Sequence, residues 1–148
     1  MAQSLTLRSI MALIRWAIAL VFLIAGALKI ADPGLFLEDI QAYRLLPYGL
    51  AFATALILPW LEVFASLAVL CKRWDTGALL SLTLIILVFT LALASAWIRG
   101  LDINCGCFGH NPETSSNYPL AILRNSAIFL GLVGLLLAKK PKKMPPVP

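Results

Sequence analysis

Two cysteines separated by a single glycine, Cys105-Gly106-Cys107, are the residues of this sequence best suited to chemistry. A disulfide needs Cα atoms about 4.4–6.8 Å apart. Residues two apart reach that separation only where the chain bends. Gly106 permits the bend, because it lacks Cβ and can take positive φ. The resulting ring is tight, and strained disulfides have higher reduction potentials and exchange readily. So small a ring removes little entropy from the unfolded chain and adds little stability. The pair therefore reads as a redox pair rather than a staple. Two other readings stand beside it. Cys105, Cys107 and His110 could offer two sulfurs and a nitrogen to Zn²⁺ or Cu(I). A closed structural zinc site asks for four ligands, and Asp102 is a poor fourth, so no metal site is assigned. Both cysteines could also be ordinary small loop residues, although free thiols are an unstable arrangement in an oxidising compartment. His110, the one histidine of the chain, is a candidate to stabilise a thiolate or carry a proton; the plainer reading is a solvated loop side chain. Cys71, far from the pair, reads as a small hydrophobe.

A second kind of candidate is charge placed among apolar residues. Glu62 and Arg15 each interrupt a long apolar run. At 1.5 Å per helical residue, Glu62 lies about 14 Å, and Arg15 about 9 Å, from the same end of their helices. An acid there is a functional-site candidate. It could pair with Arg15 in the neighbouring antiparallel helix, which would satisfy both without any further role. Pro59, one turn before Glu62, frees a backbone carbonyl and predicts a kink. A kink beside a buried acid could shape a pocket for a quinone headgroup or another small ligand. Ala25-Gly26-Ala27 permits close helix contact.

The elements that must position these residues follow from composition. The chain has 148 residues, of which 61% are hydrophobic and 13% charged, with a mean hydropathy of +0.91. Soluble domains carry about 25% charged residues. So few charges cannot coat a water-facing surface, so most of the outside must face lipid. A spanning helix needs about 20 apolar residues. Four runs qualify: residues 10–30, 48–71, 74–98 and 119–138. They are continuous and rich in Leu and Ala, without the alternation of barrel strands. The expected fold class is an all-α membrane protein: one four-helix transmembrane domain over residues 1–138, followed by a basic, Pro-rich tail at 139–148. Between the first two spans, Phe36, Ile40 and Tyr43 recur at helical spacing. This predicts a short amphipathic helix in the first outer loop, either a packed connector or a lid over an outer site.

Arg8, Arg15 and the small residues 25–27 are also features of a cleaved signal peptide, but the apolar run is too long and reads as an anchor that stays. Four spans put both termini on one side. That side then holds eight basic residues (Arg8, Arg15, Lys72, Arg73, Lys139, Lys140, Lys142 and Lys143), and the other holds Lys29, Arg44, Arg99 and Arg124. The positive-inside rule assigns the larger set to the cytoplasm. The expectation is a bacterial inner-membrane protein with cytoplasmic termini and a periplasmic Cys105/Cys107 loop, where disulfides persist. The net charge of +5 suits topology and anionic lipid. No aromatic-interleaved basic patch suggests nucleic acid, and no flavin or haem motif is present.

The segments 26–33 (GALKIADP), 42–47 (AYRLLP) and 58–62 (LPWLE), with 102–109 (DINCGCFG), resemble the MauE branch of the DoxX-like membrane proteins. The resemblance covers roughly residues 8–137, and its specific part is the cysteine loop. It implies a four-helix bundle needed for methylamine utilisation, helping a periplasmic thioredoxin-like partner form or sort disulfides in the methylamine dehydrogenase light subunit. It also implies kinship of design with quinone-linked disulfide-forming proteins, although this chain has one outer cysteine pair rather than two. The expected function is thiol–disulfide exchange at Cys105 and Cys107. Its rivals are a non-catalytic membrane scaffold for a maturation partner and a metal or small-molecule transport subunit, which Glu62 would favour.

Overall fold

A computed structural model describes residues 2–71, 75–101 and 118–138, with side chains described from Ser9 onward and excepting Asp75. Five helices follow in order: α1 Ala2–Ala31, α2 Pro33–Ala42, α3 Tyr48–Leu70, α4 Asp75–Ile98 and α5 Tyr118–Leu137. Four of them contain segments long and apolar enough to cross a membrane: Ser9–Ala31, Tyr48–Leu70, Thr76–Ile98 and Tyr118–Leu137. Among the described residues there is no strand. The chain is a multi-pass, all-α membrane protein, as its apolar runs require. In hydrocarbon every backbone polar group must be satisfied within the segment, and a helix does this alone. α1 begins at Ala2 rather than near Ile10. Hydropathy marks where a helix meets lipid, whereas its hydrogen-bond ladder continues past that point.

The bundle is held by close packing of small residues, since lipid tails are as apolar as the side chains and leave little hydrophobic driving force. Ala19, Ala51, Ala55, Ala65, Ala78, Ala96 and Ser66 are all buried. The main core joins Ile18 and Phe22 of α1, Val69 of α3, Leu79, Leu82 and Ile86 of α4, and Leu132 of α5. Trp16, Leu20, Ile24, Leu28, Trp60, Phe64, Leu84 and Leu91 point outward, where hydrocarbon solvates them.

α1 packs most extensively on α3, and Gly26 sets how closely. A Cβ there would stand 2.9 Å from Val63 Cγ2, 3.0 Å from the Pro59 carbonyl oxygen and 3.3 Å from Glu62 Cβ. Gly26 thus fixes the register that brings the end of α1 opposite the middle of α3.

α2 is the short helix expected between the first two spans. Asp32 caps it, accepting a hydrogen bond from the Leu35 amide at 3.0 Å, and Pro33 occupies its first turn, a position where the missing N–H is no loss. Its apolar face, Phe36, Ile40 and Tyr43, is buried. Phe36 and Ile40 pack with Ala51 and Ala55 of α3. α2 ends where Arg44 takes φ 51°, with its amide bonded to the Gln41 carbonyl at 2.9 Å.

Candidate functional site

All four spanning helices converge on a polar pocket. Lys29 of α1 donates to both carboxylate oxygens of Glu62 on α3, each at 2.8 Å. Lys29 is 5% exposed and Glu62 1%. An unpaired charge at such a place costs several kcal/mol, and a well-formed pair offsets most of it. Two rings complete the ammonium's surroundings, with Nζ 4.9 Å from the Phe36 centroid and 4.8 Å from that of Phe89. A cation over a desolvated aromatic face gains further attraction. The rings lie 6.5 Å apart and are tilted by 33°. α5 contributes Arg124 and Asn125 to the same pocket, whose volume is about 30 Å³. Asn125 is buried, and its carboxamide nitrogen has no hydrogen-bond partner. Ser66 turns its hydroxyl to the Glu62 carbonyl at 2.6 Å, which satisfies it one turn along its own helix.

Three sequence expectations change here. Glu62 pairs with Lys29, not with Arg15. The Arg15 guanidinium instead donates to the Val69 carbonyl through Nε at 2.9 Å and Nη2 at 2.7 Å. It thereby adds charged donors to a carbonyl in the last turn of α3, at the negative end of the helix dipole. Similar depth alone did not decide the partner; the α1–α3 register at Gly26 did. Lys29, counted from sequence only as a basic residue of the outer side, is buried inside the bundle. Cys71, expected to behave as a buried small hydrophobe, is an exposed free thiol at the C-cap of α3.

Lys29 and Asn125 were not singled out from sequence, yet both carry a signal. Ile18, Phe22, Ala25 and Lys29 form one buried stripe along α1, at spacings of four, three and four. Asn125 begins a similar stripe that continues through Leu132 and Leu135. A polar residue that falls in such a stripe faces the bundle rather than lipid.

Cys105, Cys107, His110 and Asp102 lie outside the described residues, as does the tail 139–148. The ends of the cysteine segment, however, are placed in detail. α4 stops with the two hydrogen bonds of a Schellman motif: the Leu101 amide to the Ala96 carbonyl at 3.1 Å, and the Gly100 amide to that of Trp97 at 3.0 Å. The motif needs a left-handed residue, and Gly100 supplies it at φ 63°. Leu101, Tyr118 and Ile122 then pack against a buried cluster of Tyr43, Leu93 and Ala96. The Tyr118 hydroxyl donates to the Leu101 carbonyl across the loop. Arg99 donates to the Tyr43 carbonyl at the end of α2. The residues that flank 102–117 are thus tied to each other, Tyr118 to Leu101, and to the end of α2 through Arg99, at one end of the bundle.

Beneath α2 lies a largely apolar groove of about 190 Å³, walled by Phe36, Asp39, Ile40, Tyr43, Leu45 and Leu46, by Thr54 and Leu58 of α3, and by Val88, Phe89 and Ala92 of α4. Phe89 lines both this groove and the polar pocket. Among the described residues, no group of three or more His, Cys, Asp or Glu side chains could hold a metal ion.

Comparison with known proteins accords with this architecture. The sequence profile of the family described as methylamine utilisation protein MauE matches residues 7–138. The methylamine utilization protein MauE of Paracoccus denitrificans is 30% identical over 118 residues, 76% of this chain and 63% of that protein. Its namesake in Methylorubrum extorquens is 30% identical over 119 residues, 78% of this chain and 63% of that protein. That of Paracoccus versutus is 30% identical over 137 residues, 87% and 73% respectively. The chain thus spans a little under two thirds of the length of the first two relatives. No solved structure matches it significantly. With the match extending from the first span to the end of the last, the chain belongs to the MauE family of membrane proteins.

Proposed function

We propose that this protein is a membrane thiol–disulfide exchanger that serves methylamine utilisation, as its relatives' names suggest. Cys105 and Cys107 exchange with a periplasmic thioredoxin-like partner during the maturation of periplasmic proteins. One thiolate attacks a disulfide sulfur of the partner and expels the partner's second sulfur as a thiolate. The other cysteine then resolves the mixed disulfide. Bonds and electrons balance without a further reactant: one disulfide is broken and one is made, and the two reduction potentials set the direction.

The observation that carries this reading is the Cys-Gly-Cys segment, whose two ends are fastened together by Tyr118 and Leu101 and anchored to α2 by Arg99. The flanking residues Leu101 and Tyr118 lie together at one end of the bundle, a place that a soluble partner could reach. The transport alternative is weakened by the Lys29–Glu62 pair, because the ammonium occupies both oxygens that a cation would need.

Serine replacement separates exchange from scaffolding. Cys105→Ser and Cys107→Ser are each expected to abolish maturation of the partner's substrate while leaving the thermal stability of the bundle within about 0.5 kcal/mol, since so short a ring adds little. One of the two should accumulate a mixed disulfide with the partner. If both variants support full maturation and both thiols label freely in native membranes, the protein acts as a scaffold and the exchange mechanism is wrong.

A further inference from the structure

We propose that the pocket between the four spanning helices binds one small anion, a halide such as chloride, against Asn125 and Arg124 of α5. The site goes beyond the cysteine reading and does not depend on it. Its first warrant is a pair of buried donors. The Asn125 side chain is 2% exposed, and its carboxamide nitrogen has no hydrogen-bond partner. The adjacent Arg124 makes other interactions, yet its Nε is likewise buried with no acceptor. Both residues line the same pocket. A buried donor without an acceptor keeps the full cost of its lost hydration, so two of them at one cavity call for an acceptor there.

Charge selects the kind of acceptor. The ionisable side chains lining the pocket are Lys29, Arg124 and Glu62, two cations to one carboxylate. Glu62 is turned to Lys29, which donates to both of its oxygens at 2.8 Å. The ammonium also lies over the Phe36 and Phe89 rings. Lys29 therefore lends the pocket its field, and the donors left for a ligand are those of α5. In a low-dielectric interior an excess of lining cations favours a further negative charge. A water molecule meets the donors and leaves the charge as it stands, whereas an anion meets both. Size selects which anion. The space is about 30 Å³, room for one or two particles of water's size. A monatomic halide fits it, and sulfate, phosphate or a lipid headgroup does not. An ion held there joins α5 to the Lys29–Glu62 pair of α1 and α3, so its binding stabilises the folded bundle.

The test uses the full chain, purified in dodecyl maltoside with sodium gluconate as the only salt. Thermal unfolding is followed as chloride or bromide replaces gluconate at constant ionic strength. The melting temperature is expected to rise with either halide and to saturate, as binding to the folded state requires. Asn125→Leu should raise the half-saturating chloride concentration roughly tenfold, the loss of one hydrogen bond to a charged group. In gluconate the same variant should melt no lower than the parent, because an apolar side chain of like size replaces an unsatisfied amide; a misfolded variant melts lower in both salts. Asn125→Asp sets a tethered carboxylate where the ion sits and should make the melting temperature independent of halide. Equal melting in chloride and gluconate assigns the pocket to water. A rise that sulfate reproduces is a bulk salt effect, and an unchanged chloride dependence in both Asn125 variants places the halide elsewhere. Each of these three results would overturn the proposal. The halide dependence should persist in the Cys105→Ser, Cys107→Ser double variant. If the parent shows none while the single serine variants still block maturation, the anion site is wrong and the exchange reading stands.

Discussion

The middle of the bundle and its loop end solve the same problem by different means. Both must satisfy polar groups where water is scarce. In the middle, Lys29 and Glu62 neutralise each other across two helices. At the loop end, Arg99 and Tyr118 donate to backbone carbonyls of Tyr43 and Leu101. The first arrangement is all or nothing, because removing either partner leaves a charge in a low-dielectric interior. The second is local, because each donor holds one segment end, and a lost bond leaves an uncharged backbone carbonyl near the end of the bundle while the Arg99 guanidinium remains exposed. The bundle therefore places its most costly interaction where the helices are held together, and its looser ones where the cysteine segment begins and ends.

Breaking the ion pair should have the largest effect. Lys29→Met alone leaves the Glu62 carboxylate without its cation and should destabilise the protein by about 3–5 kcal/mol. The Lys29→Met, Glu62→Leu double variant removes both charges and should regain most of that loss. Thermal unfolding in detergent, with all variants in one micelle, measures the difference. If the double variant is no more stable than the single, charge compensation is not what holds the middle.

Next in size is Gly26→Ala, which adds a methyl 2.9 Å from Val63 Cγ2 and 3.0 Å from the Pro59 carbonyl. Val63 can turn, but the backbone carbonyl cannot, so α1 must move away from α3. A loss of about 1–3 kcal/mol is expected, and the Lys29–Glu62 contact should lengthen with it. A variant as stable as the parent would show that the register is set elsewhere.

The smallest effect is expected at the loop end. Tyr118→Phe removes the hydroxyl that reaches Leu101 and should cost about 1 kcal/mol at most. Its signature is local: faster amide exchange around residues 97–101 and 118–122, with unchanged protection around Glu62. Uniformly faster exchange throughout the bundle would show that the loop end and the middle are one cooperative unit rather than two.

Much of the architecture was legible before any coordinates. Apolar runs at 10–30, 48–71, 74–98 and 119–138 gave four spans close to those observed, and the spacing of Phe36, Ile40 and Tyr43 gave α2. The Gly100 turn carried a signal as well, since glycine just past an apolar run is the common end of a helix. The site was only half legible. Glu62 stood out because an acid in an apolar run is rare, but depth alone suggested Arg15 as a possible partner. Lys29 was counted only among the basic residues of the outer side, and a lysine near the end of an apolar run ordinarily reaches for the membrane surface.

The sequence by itself determined that the chain lives in a membrane, how often it crosses, and that it carries a closely spaced cysteine pair in the segment after α4. These follow from transfer free energies and covalent spacing, which belong to each segment separately. Only the tertiary structure decided that Lys29 turns inward to Glu62, that Arg15 binds the Val69 carbonyl near the end of α3, and that Asn125 of the fourth spanning helix lines the Lys29–Glu62 pocket. Those outcomes depend on how far α1 slides along α3 before Gly26 meets Pro59 and Val63. Register of that kind is a property of two surfaces in contact, and no single segment contains it.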